Sequence, residues 1–257
     1  MSRTFLSLIA VFLIANPCFG AIVIFSGGDA GAASGDSHPN SDASLNSFLA
    51  AVGGNAGAIT FEGIAATNPV TNVSVATGVS LTVTGNLSSG GAPGISTAAG
   101  TKETGYNTTI GGSTILRFRP TGFSGPDVVA MFTFTTPIEA FGMFLTGAEA
   151  GVPGPLSLEF NDGAAQILSI PELPAQGGGV QFYGFVDSGK SITTVTIREA
   201  GPYGVTGDLI GVDDVRFAET VSSSVPEPGS IVLFGSLAVA GMRSLQKRRQ
   251  VRRDSCG

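Results

Sequence analysis

The chain has 257 residues, of which 12% are charged, 38 are glycine and none is tryptophan; it is long enough to bury a core, and its glycines and β-branched residues suit strands and turns rather than helices. The net charge of −6 divides sharply: residues 21–225 carry six basic and 17 acidic side chains, a net −11, while six of the 13 basic residues follow position 242. An acidic body of this kind repels nucleic acid and anionic lipid, which excludes nucleic-acid binding.

The first element is MSRTFLSLIAVFLIANPCFG, with Arg3 ahead of an apolar run from Phe5 to Ala15 and the small residues Cys18 and Gly20 near its end. That pattern predicts a secretory signal peptide over 1–20, since the run is too short to span a bilayer. Asn16-Pro17 before Cys18 does not suit a lipid-attachment box. The other cysteine is Cys256, so residues 21–225 contain none and thiol chemistry is excluded from them. Residues 21–57 open with AIVIF, continue as a Gly/Ser/Asp-rich loop, and end in a short predicted helix. Its signals are Leu45, Phe48, Leu49 and Val52 at helical spacing, Ser41 or Asp42 as N-cap, and Gly53-Gly54 as the stop.

From AITFE onward the signals are β, and they predict one all-β domain over 58–218, a jelly-roll-like sandwich. The strands are VSLTV, ILRF, VVAMFTF, IEAFGMFL, LSLEF, AQILSI, VQFYGFV, ITTVTIRE and LIGVDDVRF, and Asn161-Asp162-Gly163 is a strong hairpin signal between LSLEF and AQILSI. Leu87 to Ser113 is a long Gly/Ser/Thr stretch, a functional loop or an insertion without order.

The catalytic signals are weak. The sole histidine, His38, lies in the Gly/Ser loop and gives little support for a serine triad. Paired carboxylates for glycoside cleavage need two acids on one cleft; Glu62, Glu139, Glu159, Glu199, Asp208 and Asp213 are available, but their spacing selects no pair. Most aromatics read as core, with Tyr183 or Tyr203 as the candidate to stack on a sugar.

Residues 219–225 form a linker, and after it come Val225-Pro226-Glu227-Pro228, an uncharged run over 229–242 and a basic tail over 243–257. Fourteen residues span about 21 Å as a helix, short of a bilayer core of roughly 30 Å, so the run crosses only with help from its flanks. The triplet, run and basic end closely resemble the PEP-CTERM sorting signal of exported Gram-negative proteins. The resemblance implies handling by the secretion translocase and then by exosortase, with Pro226, Glu227 and Pro228 as recognition residues. It also implies a transient stay in the inner membrane, oriented by Arg243, Lys247, Arg248 and Arg249, and a final place at the cell surface or in the matrix.

ITFEG near the start, FYGFVDSGKSITTVTI late and GVDDVRF as last strand resemble galactose-binding-like and carbohydrate-binding-module sandwiches. That likeness implies a non-enzymatic body that binds extracellular polysaccharide or gives bulk, with an extracellular polysaccharide hydrolase as the alternative. It further implies a structural calcium ion held by Glu62 and by one of Asp213 and Asp214, since alternation lets only one of the two point toward Glu62. The expected ligand is Asp213, with Leu209, Gly211 and Val215 on its face and Ile210 and Val212 on that of Asp214. Asp213 and Asp214 as solvated edge-strand acids is the competing expectation.

Overall fold

A computed structural model describes residues 21–85, 94–118, 127–148, 155–173, 177–200 and 209–220. The chain divides into two units, Met1–Thr220 and Val221–Gly257. The second unit, with the sorting triplet, apolar run and basic tail, lies outside the described residues, as does the signal peptide over 1–20. Among the described residues no helix is long and apolar enough to cross a membrane.

The elements are β1 (Val23–Ala30), α1 (Pro39–Ala51), β2 (Gly57–Ile59), β3 (Val73–Ala76), β4 (Val79–Thr84), β5 (Gly94–Ser96), β6 (Ile115–Phe118), β7 (Val128–Thr146), β8 (Leu156–Asn161), β9 (Ala165–Ile170), β10 (Gly179–Val186), β11 (Ile192–Glu199) and β12 (Ile210–Glu219). Among the described residues the fold is therefore all-β with one short helix. The predicted hairpin stands: Asn161-Asp162-Gly163 turns β8 into β9, with Asn161 paired to Ala165.

β7 organises the rest. The sequence predicts two strands, VVAMFTF and IEAFGMFL, but they run on as one through Thr135-Thr136-Pro137. Residues 128–134 pair with β4 and β11, which meets Ile138 as well, whereas residues 138–146 pair with β12 and residues 140–146 with β10. Pro137 sits where the partners change, so its missing N–H interrupts no ladder. One layer is thus β3-β4-β7-β11-β8-β9, and the other is β1-β10-β7-β12 with β2, β6 and β5 beyond. β7 belongs to both.

The main core fills the space between the layers, with Leu81, Phe132, Leu158 and Val195 from one and Phe141, Met143, Phe185 and Val212 from the other. The second layer is apolar on its outer face as well. Ala140, Phe144, Phe182 and Ala218 there join Phe48 of α1, with Leu45 and Leu49 packed alongside. That double covering explains why every residue of β10 is buried.

The helix lies close because β1 lacks side chains where the two touch: a Cβ on Gly27 would run into Ser44 Oγ and the Asn40 carbonyl. This also explains why SGGDA, expected as loop, is strand. α1 begins earlier than Ser41, with His38 as N-cap and Pro39 in the first turn, and His38 makes no capping bond. Asp29 on β1 supplies the cap instead, accepting from Asn40 N–H at 3.2 Å and Ser41 N–H at 2.9 Å.

Candidate functional site

The last strand does not alternate through its middle. Asp213 of β12 pairs with Phe144 of β7 but Arg216 pairs with Gly142, so β12 holds one extra residue, a bulge. Asp214 carries it at φ 44°, in the left-handed region that aspartate tolerates better than a β-branched residue does. The bulge corrects the parity read from the sequence. Val215 shares the inter-layer core with Ile210 and Val212, and both aspartates approach the same hydroxyl: Thr108 Oγ1 is 3.1 Å from Asp213 Oδ2 and 3.3 Å from Asp214 Oδ2.

Thr108 belongs to the 105–114 loop, inside the Gly/Ser/Thr stretch, and the loop is pinned along its length. Arg117 Nη2 donates to Gly105 O at 2.6 Å, and Tyr106 exchanges bonds with Thr146 Oγ1 at 2.9 and 3.0 Å. Tyr106 OH donates to Ala32 O at 2.9 Å, and burial, before the charges of Asp36 and Asp29, pushes that phenol up to about 12.

Glu62 and Asp213 grip the loop from two sides. Asp213 Oδ2 accepts the N–H groups of Thr108 at 2.7 Å and Thr109 at 3.1 Å. Glu62 Oε1 accepts Ser113 N–H, Thr114 N–H and Asn107 Nδ2, each at 2.9 Å. The structure thus brings the two predicted ligands to one loop, each already serving as a hydrogen-bond acceptor. Two buried oxygens of the cluster receive no donor from the described residues, Asp213 Oδ1 and Asn107 Oδ1. Asp213 is fully buried, and burial, with the Asp214 charge behind it, pushes its carboxyl up to about 6 against the pull of the loop N–H groups. Among the described residues no group of three or more His, Cys, Asp and Glu is placed to hold a metal ion. Hard-oxygen donors here are the carboxylates of Glu62, Asp213 and Asp214 and the amide oxygen of Asn107.

Beside this loop a cleft of about 490 Å³ opens toward the start of α1. His38 and Asp42 line it, with Thr108, Thr109 and Ile110 of the loop and Phe144, Asp214 and Arg216 of the sheet. His38 Nδ1 is 3.0 Å from Asp42 Oδ1, and its ring meets Phe144 edge-on at 5.8 Å. Arg216 Nη2 reaches Asp214 Oδ1 at 3.4 Å, while Ile110 is fully exposed. The sequence reading does not single out Asn107, Thr108, Asp42 or Arg216 as site residues, and the acidic pair Asp213-Asp214 is the local signal that points here.

The remaining candidates lie elsewhere. Glu159 is tied by both oxygens to Arg198, at 2.6 and 2.9 Å, and Arg198 also reaches Asp127 at 2.9 Å. Glu139 accepts Gly189 N–H at 3.0 Å, and Glu199 is buried in β11. Tyr183 offers no sugar platform, because it is buried and its OH donates to Ser169 O. Asp208, Tyr203, Pro226, Glu227, Pro228, Arg243, Lys247, Arg248 and Arg249 lie outside the described residues.

No family model matches the chain, and no curated protein matches it. Among solved structures, the K2 cleaved adhesin domain of Lys-gingipain is similar at a TM-score of 0.39 and 15% identity, over 63% of this chain and 99% of that one.

Proposed function

We propose that the protein is an exported, non-enzymatic cell-surface or matrix protein whose jelly-roll-like body binds glycan in the cleft between α1 and the 105–114 loop. The composition of that cleft carries the reading. Asp42, Asp214, Arg216, Thr108 and Thr109 offer the carboxylates, guanidinium and hydroxyls that pair with sugar hydroxyls, beside the exposed apolar surface of Ile110. Export and sorting rest on the terminal signals, through the translocase and exosortase, with passage through the inner membrane. The hydrolase alternative is weaker because Glu159 and Glu139 are engaged by Arg198 and Gly189 and Glu199 is buried.

A structural calcium ion belongs to the same proposal. Asp213 Oδ1 and Asn107 Oδ1, buried and without donors among the described residues, are what supports it, with Glu62 as the third oxygen source. Calcium supplies charge compensation there and no chemistry.

Calorimetric titration of the purified protein with the exopolysaccharide of its host and with a glycan panel tests the binding. Wild type is expected to bind at least one, and Arg216→Ala to weaken it about tenfold or more, the loss of one charged hydrogen bond. Binding to none, or release of reducing sugar from the polysaccharide, overturns the reading.

A further inference from the structure

Away from the cleft, two hairpin turns bring a lysine and two aspartates together. Asp162 lies in the β8–β9 turn, while Asp187 and Lys190 lie in the turn between β10 and β11, closed by Lys190 N–H on Asp187 O at 3.2 Å. Lys190 Nζ is 3.3 Å from Asp162 Oδ2, and the two side chains are 23% and 7% exposed. Asp162 Oδ1 accepts Ala164 N–H at 3.1 Å and Gln166 Nε2 at 3.2 Å. Asp187 is 1% exposed, and neither of its carboxyl oxygens receives a donor from the described residues. Its carboxyl lies against that of Asp162. Two carboxyls bond to each other only when one keeps a proton. Burial and the neighbouring Asp162 raise the pKa of Asp187, whereas the Ala164 N–H, first among several donors, holds Asp162 down at about 2.

These are the parts of an acyl transfer. There is a lysine Nζ 3.3 Å from the carboxylate it would join, a carboxyl oxygen resting on two N–H donors and a buried acid able to pass a proton. We infer that Lys190 and Asp162 condense into an internal amide, with Asp187 as the proton carrier. Lys190 first passes a proton to Asp162 Oδ2, which turns the ion pair into an amine and a carboxylic acid; the donors that hold Asp162 low oppose that exchange, so it is the slow step and the bond accumulates on ageing. Nζ then bonds to Cγ of Asp162. Asp187 gives its proton to the Oδ2 hydroxyl, the Cγ–Oδ2 bond breaks, and water leaves. Asp187 recovers a proton from Nζ. One ammonium and one carboxylate become one amide and one water, and no oxidant or activated acid is consumed. The amide braces two hairpin turns covalently in a body that has no cysteine between residues 21 and 225.

Intact mass of the purified, folded full chain, aged at neutral pH, tests this directly. The expected mass is one water below that of the sequence. A glutamate-specific protease, cutting after Glu159, Glu172 and Glu199, should release a branched product joining residues 160–172 to 173–199. Lys190→Arg keeps the ion pair and should restore full mass with an unchanged fold by circular dichroism, and Asp187→Asn should restore it too. Full mass in wild type overturns the inference. So does a missing water that persists in Lys190→Arg, which marks a succinimide at Asp162-Gly163. An amide retained in Asp187→Asn overturns the role of Asp187.

Discussion

Phe160 of β8 and Phe185 of β10 stack face to face, with ring centroids 4.0 Å apart and planes 9° from parallel. They come from different layers, so the pair clasps the sandwich across its core. Both rings are buried, Phe185 completely. Phe185→Ala removes a whole ring from a closed core and should cost about 3–5 kcal/mol, the range for such truncations. Phe185→Leu, which refills much of the volume, should cost less than half of that. Urea denaturation of the two variants checks the order, and a loss below about 1 kcal/mol for the alanine variant contradicts a closed core here.

The helix should respond to acid through Asp29. Burial works against this carboxylate, but the bonds from Ser41 and Asn40 together hold its pKa below the ordinary value. A depressed folded pKa means that the stabilisation is present above the unfolded value near 3.8 and fades as pH falls through the folded one. Asp29→Asn should therefore lower stability at pH 7 by about 1 kcal/mol, a typical cap loss, and by much less at pH 2. Thermal melts at the two pH values check this. Equal losses at both remove the carboxylate charge from the argument.

What is legible in the sequence is what local chemistry decides. Asn161-Asp162-Gly163 announces its hairpin because turn residues answer to their own backbone, and Phe48 with its helical neighbours announces α1. The start of α1 is not legible, since its cap comes from Asp29, ten residues away on another element. Gly27 and Gly28 look like loop but are strand, because the missing side chain of Gly27 admits the helix and that of Gly28 leaves room for Leu173. Alternation along β12 fails at Asp214, where a bulge set by pairing with β7 changes the face of every later residue. Glu62 and Asp213 are legible as acids, one in the turn just after β2 and one on β12. The loop that joins them, and the cleft beside it, exist only after folding.

Processing of the C-terminal end has its own test. The triplet, the apolar run and the basic tail stand in sorting order, so protein released at the surface should end near Pro228 and lack Arg252 and Arg253. Replacing Pro226, Glu227 and Pro228 with alanine should leave the chain in the inner membrane, held by a run that still halts transfer. Mass spectrometry of the released and membrane fractions reads both outcomes, and a surface species that keeps the basic tail sinks the sorting signal.

Calcium removal should be felt through Asp213. Its Oδ2 is occupied by the loop N–H groups, while its Oδ1 and that of Asn107 are buried without donors among the described residues. A cation that meets those two oxygens binds the folded chain alone, so it raises the melting midpoint by mass action, by about 2.7 kcal/mol of stability at a hundredfold excess over its dissociation constant. EDTA should lower the midpoint of wild type, and added calcium should restore it. Asp213→Asn keeps the shape of the side chain and supplies an N–H, so it should lose the response to both while folding normally. Asn107→Ala should weaken the response without abolishing it, because Asp213 and Glu62 remain. If EDTA leaves the wild-type midpoint where it was, Glu62 and Asp213 are staples for the 105–114 loop, and the unpartnered oxygen of Asp213 takes a proton in place of an ion.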